Sequence, residues 1–345
     1  MGYFLIVILI LGSLIFIHEL GHFLTARACG VTVKEFAIGM GPKIFSWESK
    51  KNQTKYSLRL FPIGGYVSME NEDGLDEAVP TDDEGAFVNK SVPKRMLITA
   101  AGAIMNLLLG FVLMAVIVFS TQNLGSTVIR EFADNAASAE KLMVGDEITK
   151  IGNTRVHTWN ELAYEIMNQG YEPVDVTVIR NGETMAFEDV CFGTFEDQGI
   201  VFGDYDFLPY AEEATFPNLV KHTFWRSVST VKMVIDSLVG LISGRFGMDA
   251  VSGPIGVVGA VEGMGVKDIM SFLYIVCVLT MNLGVFNLIP FPALDGGRLA
   301  FLLVEGVRGK PLDRKIEGYV NFVGIMILFA LMIFITFKDI IKLIF

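Results

Sequence analysis

Apolar residues in this chain gather into long runs, separated by segments of different periodicity. Four runs are long enough to cross a bilayer, which takes about 20 residues. They are Tyr3–Ala26, Met96–Ser120, Phe272–Val304 with an interruption, and Tyr319–Phe337. The first run lacks a basic leader, so it reads as a retained span rather than a signal peptide. After it, Lys55 to Leu60 alternates, with Tyr56, Leu58 and Leu60 on one face and Lys55, Ser57 and Arg59 on the other. That is the pattern of a half-buried strand. Turn signals at Gly39-Met40-Gly41-Pro42 and Lys51-Asn52-Gln53 make it part of a small β-hairpin. Pro62-Ile63-Gly64-Gly65-Tyr66 continues the hairpin, with glycines that let another backbone approach closely. Such a strand either receives an extended peptide along its edge or merely closes one side of the fold.

The acidic stretch Glu70–Glu84 reads as a solvated loop. Val128–Phe207 has the pattern of a soluble α+β module. It contains Gly145-Asp146-Glu147-Ile148, Ile151-Gly152-Asn153, a helix-like Thr158–Gln169, a strand-like Val174–Arg180 and an Asn181-Gly182 turn. Phe216–Ile242 is amphipathic at helical spacing but too charged to span, so it is placed on the outer surface or on the core. The third span is broken by Pro290, Pro292, Gly296 and Gly297. A broken helix survives at membrane depth only where other groups satisfy the freed backbone. The fourth span has no ionisable group between Tyr319 and Phe337 and reads as packing.

Charge changes this picture in two ways. Lys and Arg are concentrated in segments 27–95 and 298–317, which places both on the cytoplasmic side. Residues 121–271 and both termini then lie outside. The net charge of −11 argues against a nucleic-acid partner. Three cysteines without CxxC spacing imply no disulfide framework, and only four histidines are present.

Two of those histidines stand in the first span, as His18-Glu19-Leu20-Gly21-His22. On a helix, His18 and His22 project from one face. The HExxH spacing is that of a zinc site in which Glu19 is the general base. Ionisable groups inside a span are expensive and by default mark function. Asp295, at the break in the third span, is either the third ligand to one Zn²⁺ ion or a helix N-cap. Asn106 in the second span needs a hydrogen-bond partner, expected on the metal helix; Asn282 and Asn287 lie near the break.

These residues resemble the site-2 protease family of intramembrane zinc metalloproteases, peptidase family M50, and most closely its bacterial branch that regulates sigma-factor signalling. The likeness rests on His18–His22, Gly64-Gly65-Tyr66, Gly102 with Asn106, the single PDZ-like module, Ser252-Gly253-Pro254-Ile255, and Asn287-Leu288-Ile289-Pro290 with Leu294-Asp295-Gly296-Gly297. One departure is Ala103, where the family usually has proline. The resemblance implies an α-helical polytopic membrane protein with four transmembrane helices, a membrane-associated β-hairpin sheet and an inserted α+β PDZ domain. It implies zinc on His18, His22 and Asp295, with Glu19 as base. Asn287, Gly64, Gly65 and Tyr66 would meet substrate, and Asn106, Asn282, Pro290 and Pro292 would support the site. Expected substrates are single-span membrane proteins, either anti-sigma factors or signal-peptide remnants, with peptide ends taken by the PDZ domain.

The corresponding division is 1–30, first span; 31–95, hairpin and acidic loop; 96–121, second span; 125–208, PDZ domain; 209–268, amphipathic region; 269–306, third span; and 307–345, fourth span and tail. The protein would sit in the bacterial cell membrane with its site near the cytoplasmic face. A non-catalytic scaffold presenting the PDZ domain is the competing reading. A transporter would call for more polar residues in the fourth span and inverted repeats.

Overall fold

Among the described residues, four helices are long and apolar enough to cross a membrane, at Phe4–Ala28, Val92–Phe119, Ile269–Leu288 and Lys315–Ile341. The protein is a multi-pass membrane protein. The computed structural model describes residues 2–50, 53–72, 83–197, 199–247, 251, 253, 256–259, 262 and 269–344. Most of the acidic stretch, Lys51 and Asn52 of the expected turn, and Ser252, Pro254 and Ile255 lie outside the described residues. The chain divides into two compact units, residues 1–110 with 252–345, and residues 111–251.

The first unit contains α1 (Gly2–Ala28), β1 (Val33–Glu48), β2 (Lys55–Met69), the first part of α2 (Val92–Phe119), and the last three helices. Those are α5 (Ile269–Leu288), α6 (Asp295–Arg308) and α7 (Arg314–Ile344). A cluster of Phe23, Ala26, Val31, Val33, Phe36, Met69, Phe87 and Ile98 joins the end of α1 to the hairpin and the start of α2. Thr280 on α5 donates to the Asn106 carbonyl on α2 at 3.0 Å.

The hairpin folds over on itself. Residues 33–38 of β1 pair with 65–69 on one side and with 55–58 on the other, and 43–48 pair back onto 55–59. Two strands thus make four rows, with 65–69 and 43–48 outermost. The bends fall at Gly39 and Gly64, whose φ values of 84° and 87° favour glycine.

The facing of this hairpin corrects the sequence expectation. A half-buried strand should turn its apolar side inward. Here Ser57 is 3% exposed, while Leu58 is 44% exposed and Leu60 and Phe61 are exposed as well. Of the apolar side only Tyr56 packs inward, on Phe23 and Phe36, while Arg59 of the polar side finds partners within the hairpin. Arg59 donates to the Gly41 carbonyl at 2.9 Å and to Glu35 at 3.2 Å, and it also bonds the Tyr66 hydroxyl. Exposed Leu58 and Leu60, with Met40, Ile44, Phe45 and Trp47, would be penalised by water but not by lipid.

The second unit has β3 (Leu124–Phe132), β4 (Glu147–Ile151), β5 (Thr154–Arg155), α3 (Trp159–Gln169), β6 (Val174–Arg180) and β7 (Glu183–Val190). After these come β8 (Gly193–Asp197), β9 (Ile200–Asp204), β10 (Phe207–Glu212) and α4 (Phe216–Ser243). The antiparallel sheet runs β10-β3-β4-β6-β7, with β5 on β4, and β8–β9 is a separate pair. Ile129, Ile148, Ile151, Leu162, Ile166, Val176 and Val178 are fully buried in its core. Asp146, 1% exposed, accepts from the Met143 amide at 2.8 Å and takes a two-pronged contact from Arg180 at 2.7 and 2.8 Å. This fork holds the Asp146 carboxyl below its ordinary pKa, against the upward push of burial. Along α4 the buried positions include His222, Ser227 and Thr230, whereas Phe216, Val220, Phe224, Ile235 and Ile242 are exposed.

Candidate metal centre

The HExxH residues lie in the last third of α1, where helical spacing places His18 and His22 one above the other. Their rings meet edge to face at 4.8 Å between centroids. Gly102 on α2 gives them room. A methyl group there would lie 2.8 Å from Cε1 and Nε2 of His18 and would overlap Nε2 of His22.

Each ring is held through its Nδ1 atom. His22 Nδ1 lies 2.8 Å from the Ile98 carbonyl, an acceptor only, so it carries the proton and donates. His18 Nδ1 lies 3.3 Å from the Asn106 side-chain amide. Asn106 is fully buried, and its Oδ1, as placed, has no partner. Exchanging the amide's oxygen and nitrogen, which have nearly the same shape, lets Oδ1 accept the His18 Nδ1 proton. Both histidines then turn unprotonated Nε2 atoms to one point. The partner expected for Asn106 on the metal helix is therefore His18.

The third group arrives from the break after α5. Ala293, with φ of 74°, lies within it, and the first turn of α6 is packed back onto it. A methyl at Gly296 would lie 2.5 Å from the Ile289 carbonyl carbon, and one at Gly297 would lie 2.9 Å from that of Phe291. Leu294, not Asp295, occupies the N-cap position of α6, and no side chain caps the helix there. The Asp295 carboxylate turns instead to the histidines. Its Oδ2 lies 3.2 Å from His18 Nε2 and 3.3 Å from His22 Nε2, and the two Nε2 atoms are 3.2 Å apart.

This triangle tests the fit of a metal. Oδ2 is buried without a hydrogen-bond partner, and both Nε2 atoms face it with lone pairs. Three lone-pair atoms at such distances repel unless a cation lies among them. Ligands about 2.0–2.1 Å from a tetrahedral zinc are spaced about 3.3 Å from one another. His18, His22 and Asp295 are the one group of this kind among the described residues.

The other expected residues are placed differently. Glu19 follows His18 on α1, and Gly65 of β2 lies against it, so closely that a methyl at Gly65 would be 3.2 Å from Glu19 Cγ. Gly64 bends the strand just before. The Tyr66 hydroxyl is taken by Arg59, which also lies over its ring. Asn287 donates to Leu283 of its own helix at 3.0 Å, and Asn282 Oδ1 is buried without a partner. Pro290 is exposed, and Pro292 packs against α7 at Gly324. Sequence reasoning missed the Ile98 carbonyl, because a backbone acceptor leaves no mark on residue type. It also noted Gly102 only as part of a likeness, not for the room it gives two rings.

The family described as Peptidase family M50 matches residues 6–331. A Clostridium acetobutylicum protein is 36% identical, over 99% of this chain and 98% of its own. The zinc metalloprotease RasP of Shouchella clausii is 30% identical over 97% of this chain and 98% of its own. The regulator of sigma-W protease RasP of Bacillus subtilis is 29% identical over 96% and 97%.

Proposed function

This chain belongs to peptidase family M50 and is an intramembrane zinc metalloprotease, and from that premise we propose which residues do the work. His18, His22 and Asp295 hold the zinc ion. The observation that carries this is the triangle of unprotonated donor atoms, 3.2–3.3 Å on a side, with Oδ2 otherwise unpaired. When bound, zinc supplies Lewis acidity that polarises the scissile carbonyl and makes water a nucleophile near neutral pH.

Glu19 is the general base. It takes a proton from the attacking water as the hydroxyl adds to the carbonyl carbon, then gives that proton to the amine as the C–N bond breaks. Ile98 and Asn106 keep both protons on the Nδ1 atoms and so fix the orientation of the histidines. The outer row 65–69 of the hairpin runs past Glu19 and offers backbone groups to an unwound substrate. In this reading Gly64 and Gly65 let a second strand come close. Tyr66, already bonded to Arg59, contributes backbone more than phenol. Asn287 would leave its own helix to hold the substrate, and Asn282, Pro290 and Pro292 shape the break around Asp295.

The exposed apolar side of the hairpin supports a position in the membrane, and the Lys and Arg distribution supports a site near the cytoplasmic face. The α+β module fits a PDZ domain on the outer side, with α4 following it as an amphipathic region. The name of the Bacillus relative points to sigma-factor regulation, and on this reading the substrates are single-span membrane proteins, either anti-sigma factors or signal-peptide remnants. The comparisons set aside a metal-free scaffold.

The test is cleavage of a single-span substrate by the purified protein in liposomes, with bound zinc assayed in parallel. Glu19→Gln should retain zinc and lose activity by about 10²–10⁴-fold. Full activity in Glu19→Gln would remove Glu19 from its role.

A further inference from the structure

The helix that brings Asp295 to the histidines has no capping side chain at its start, and the chain before it is irregular. Besides the packing of Gly296 and Gly297 onto the break, side-chain contacts fasten it to other elements. Two ion pairs do this, both from one side of α6. Arg298, one turn after Asp295, pairs with the Glu72 carboxylate and donates to the Glu72 carbonyl at 2.9 Å. Its guanidinium also lies 4.7 Å from the Phe87 ring centre. Near the other end of α6, Glu305 takes a fork from Arg95, with one contact at 3.0 Å. Both pairs are largely buried, and together they border a cavity of about 530 Å³.

Glu72 is not an arbitrary anchor. It lies just beyond β2, the strand whose Gly65 rests on Glu19. Its second carboxylate oxygen accepts from the Met69 amide at 3.4 Å, and the Phe87 amide donates to the nearby Glu70 carbonyl at 2.9 Å. Arg298 therefore ties the first turn of α6 to the strand that abuts the base. Arg95, by contrast, ties the far end of α6 to the start of α2.

We propose that Arg298 is a positioning residue for the metal centre, holding Asp295 in register with His18 and His22 by fastening α6 to Glu72. The Arg95–Glu305 pair stabilises the same helix without setting that register. This rests on the ligand assignment above.

The experiment loads the full-length protein with Co²⁺, a spectroscopic substitute for zinc. It reads affinity by chelator competition, the ligand-field spectrum and the melting temperature. Arg298→Met should weaken Co²⁺ binding about tenfold, as loss of an outer partner of a metal site does, and should alter the spectrum. Arg298→Lys should recover part of the affinity, because it keeps the charge but loses the fork. The exchange of Arg298→Glu with Glu72→Arg should recover it too. Glu305→Gln should lower the melting temperature and leave affinity and spectrum unchanged.

Wild-type affinity and spectrum in Arg298→Met would overturn the proposal. So would a loss of affinity in Glu305→Gln matching that in Arg298→Met, which would make both pairs simply structural. Asp295→Asn keeps the two assignments apart. If it binds Co²⁺ like wild type, the ligand assignment has failed. If it loses the metal while Arg298→Met does not, only the positioning role has failed.

Discussion

The two units treat their buried carboxylates in opposite ways. In the 111–251 unit Asp146 has Arg180 and the Met143 amide, and Asp206 has Ser138; among the described residues only the hydroxyls of Thr223 and Ser227 are buried there without partners. In the other unit, the carboxylate oxygen Oδ2 of Asp295 is buried without a hydrogen-bond partner. Their apolar surfaces differ too. The sheet β10-β3-β4-β6-β7 hides its isoleucines and valines, while the hairpin turns Leu58, Leu60 and Trp47 outward. Unpaired polar atoms in a core are costly unless something completes them. For Asp295 that something is a cation; for Asp146 it is Arg180 of the same unit.

The sharpest way to break this contrast is at Gly102. Gly102→Ala pushes a methyl into both histidine rings, and a shift of about 1 Å at a reacting centre costs about 10²-fold. Proteolysis should fall by that factor with helical content unchanged by circular dichroism. Wild-type activity would mean the rings have slack that the structure does not show.

Asp146→Ala probes the opposite regime. It strands the Met143 amide and leaves Arg180 only the Lys141 carbonyl and the Phe187 ring, so the 111–251 unit should lose roughly 1–3 kcal/mol. Hydrogen exchange at Ile129 and Ile148 would report the loss, and unchanged protection would refute it.

The pH dependence of the same contact has a definite sign. The folded Asp146 carboxyl titrates below its unfolded value, about 3.9. Its contribution is therefore complete above that value and disappears as pH falls through the lower, folded pKa. Exchange protection of the same amides should weaken only in that acid range, and Asp146→Ala should flatten this part of the profile.

The smallest effect is expected on the hairpin surface. Leu58→Asn should change the melting temperature in detergent little, because surface changes are usually within about 0.5 kcal/mol. Ser57→Leu, on the enclosed side, should destabilise by about 1–3 kcal/mol through overpacking. Equal effects at the two positions would contradict the inverted facing.

How much of this was legible in the sequence depended on the solvent the reading assumed. Helix periodicity puts His18 and His22 on one face whatever surrounds them, and the four apolar runs stand out by length. Alternation in Lys55–Leu60 located a strand but misled about its buried side, since the rule that apolar residues face inward presumes water outside. The doubling of the hairpin was hidden because one strand pairs twice. The Glu72–Arg298 pair joins distant positions that carry no common motif. The Ile98 carbonyl is a backbone group, which every residue has.

The triangle at the metal centre draws two corners from the first helix and one from the last third of the chain. Synthesis runs from the N-terminus, so α1 is made long before α6. Through that interval His18, Glu19 and His22 have no Asp295 to meet, and no truncated or half-made chain contains the complete cluster. With the proposed ligand set, a hydrolase that works inside the membrane it is inserted into would be inert while it is being made. On that ligand set, its safeguard is the order of assembly.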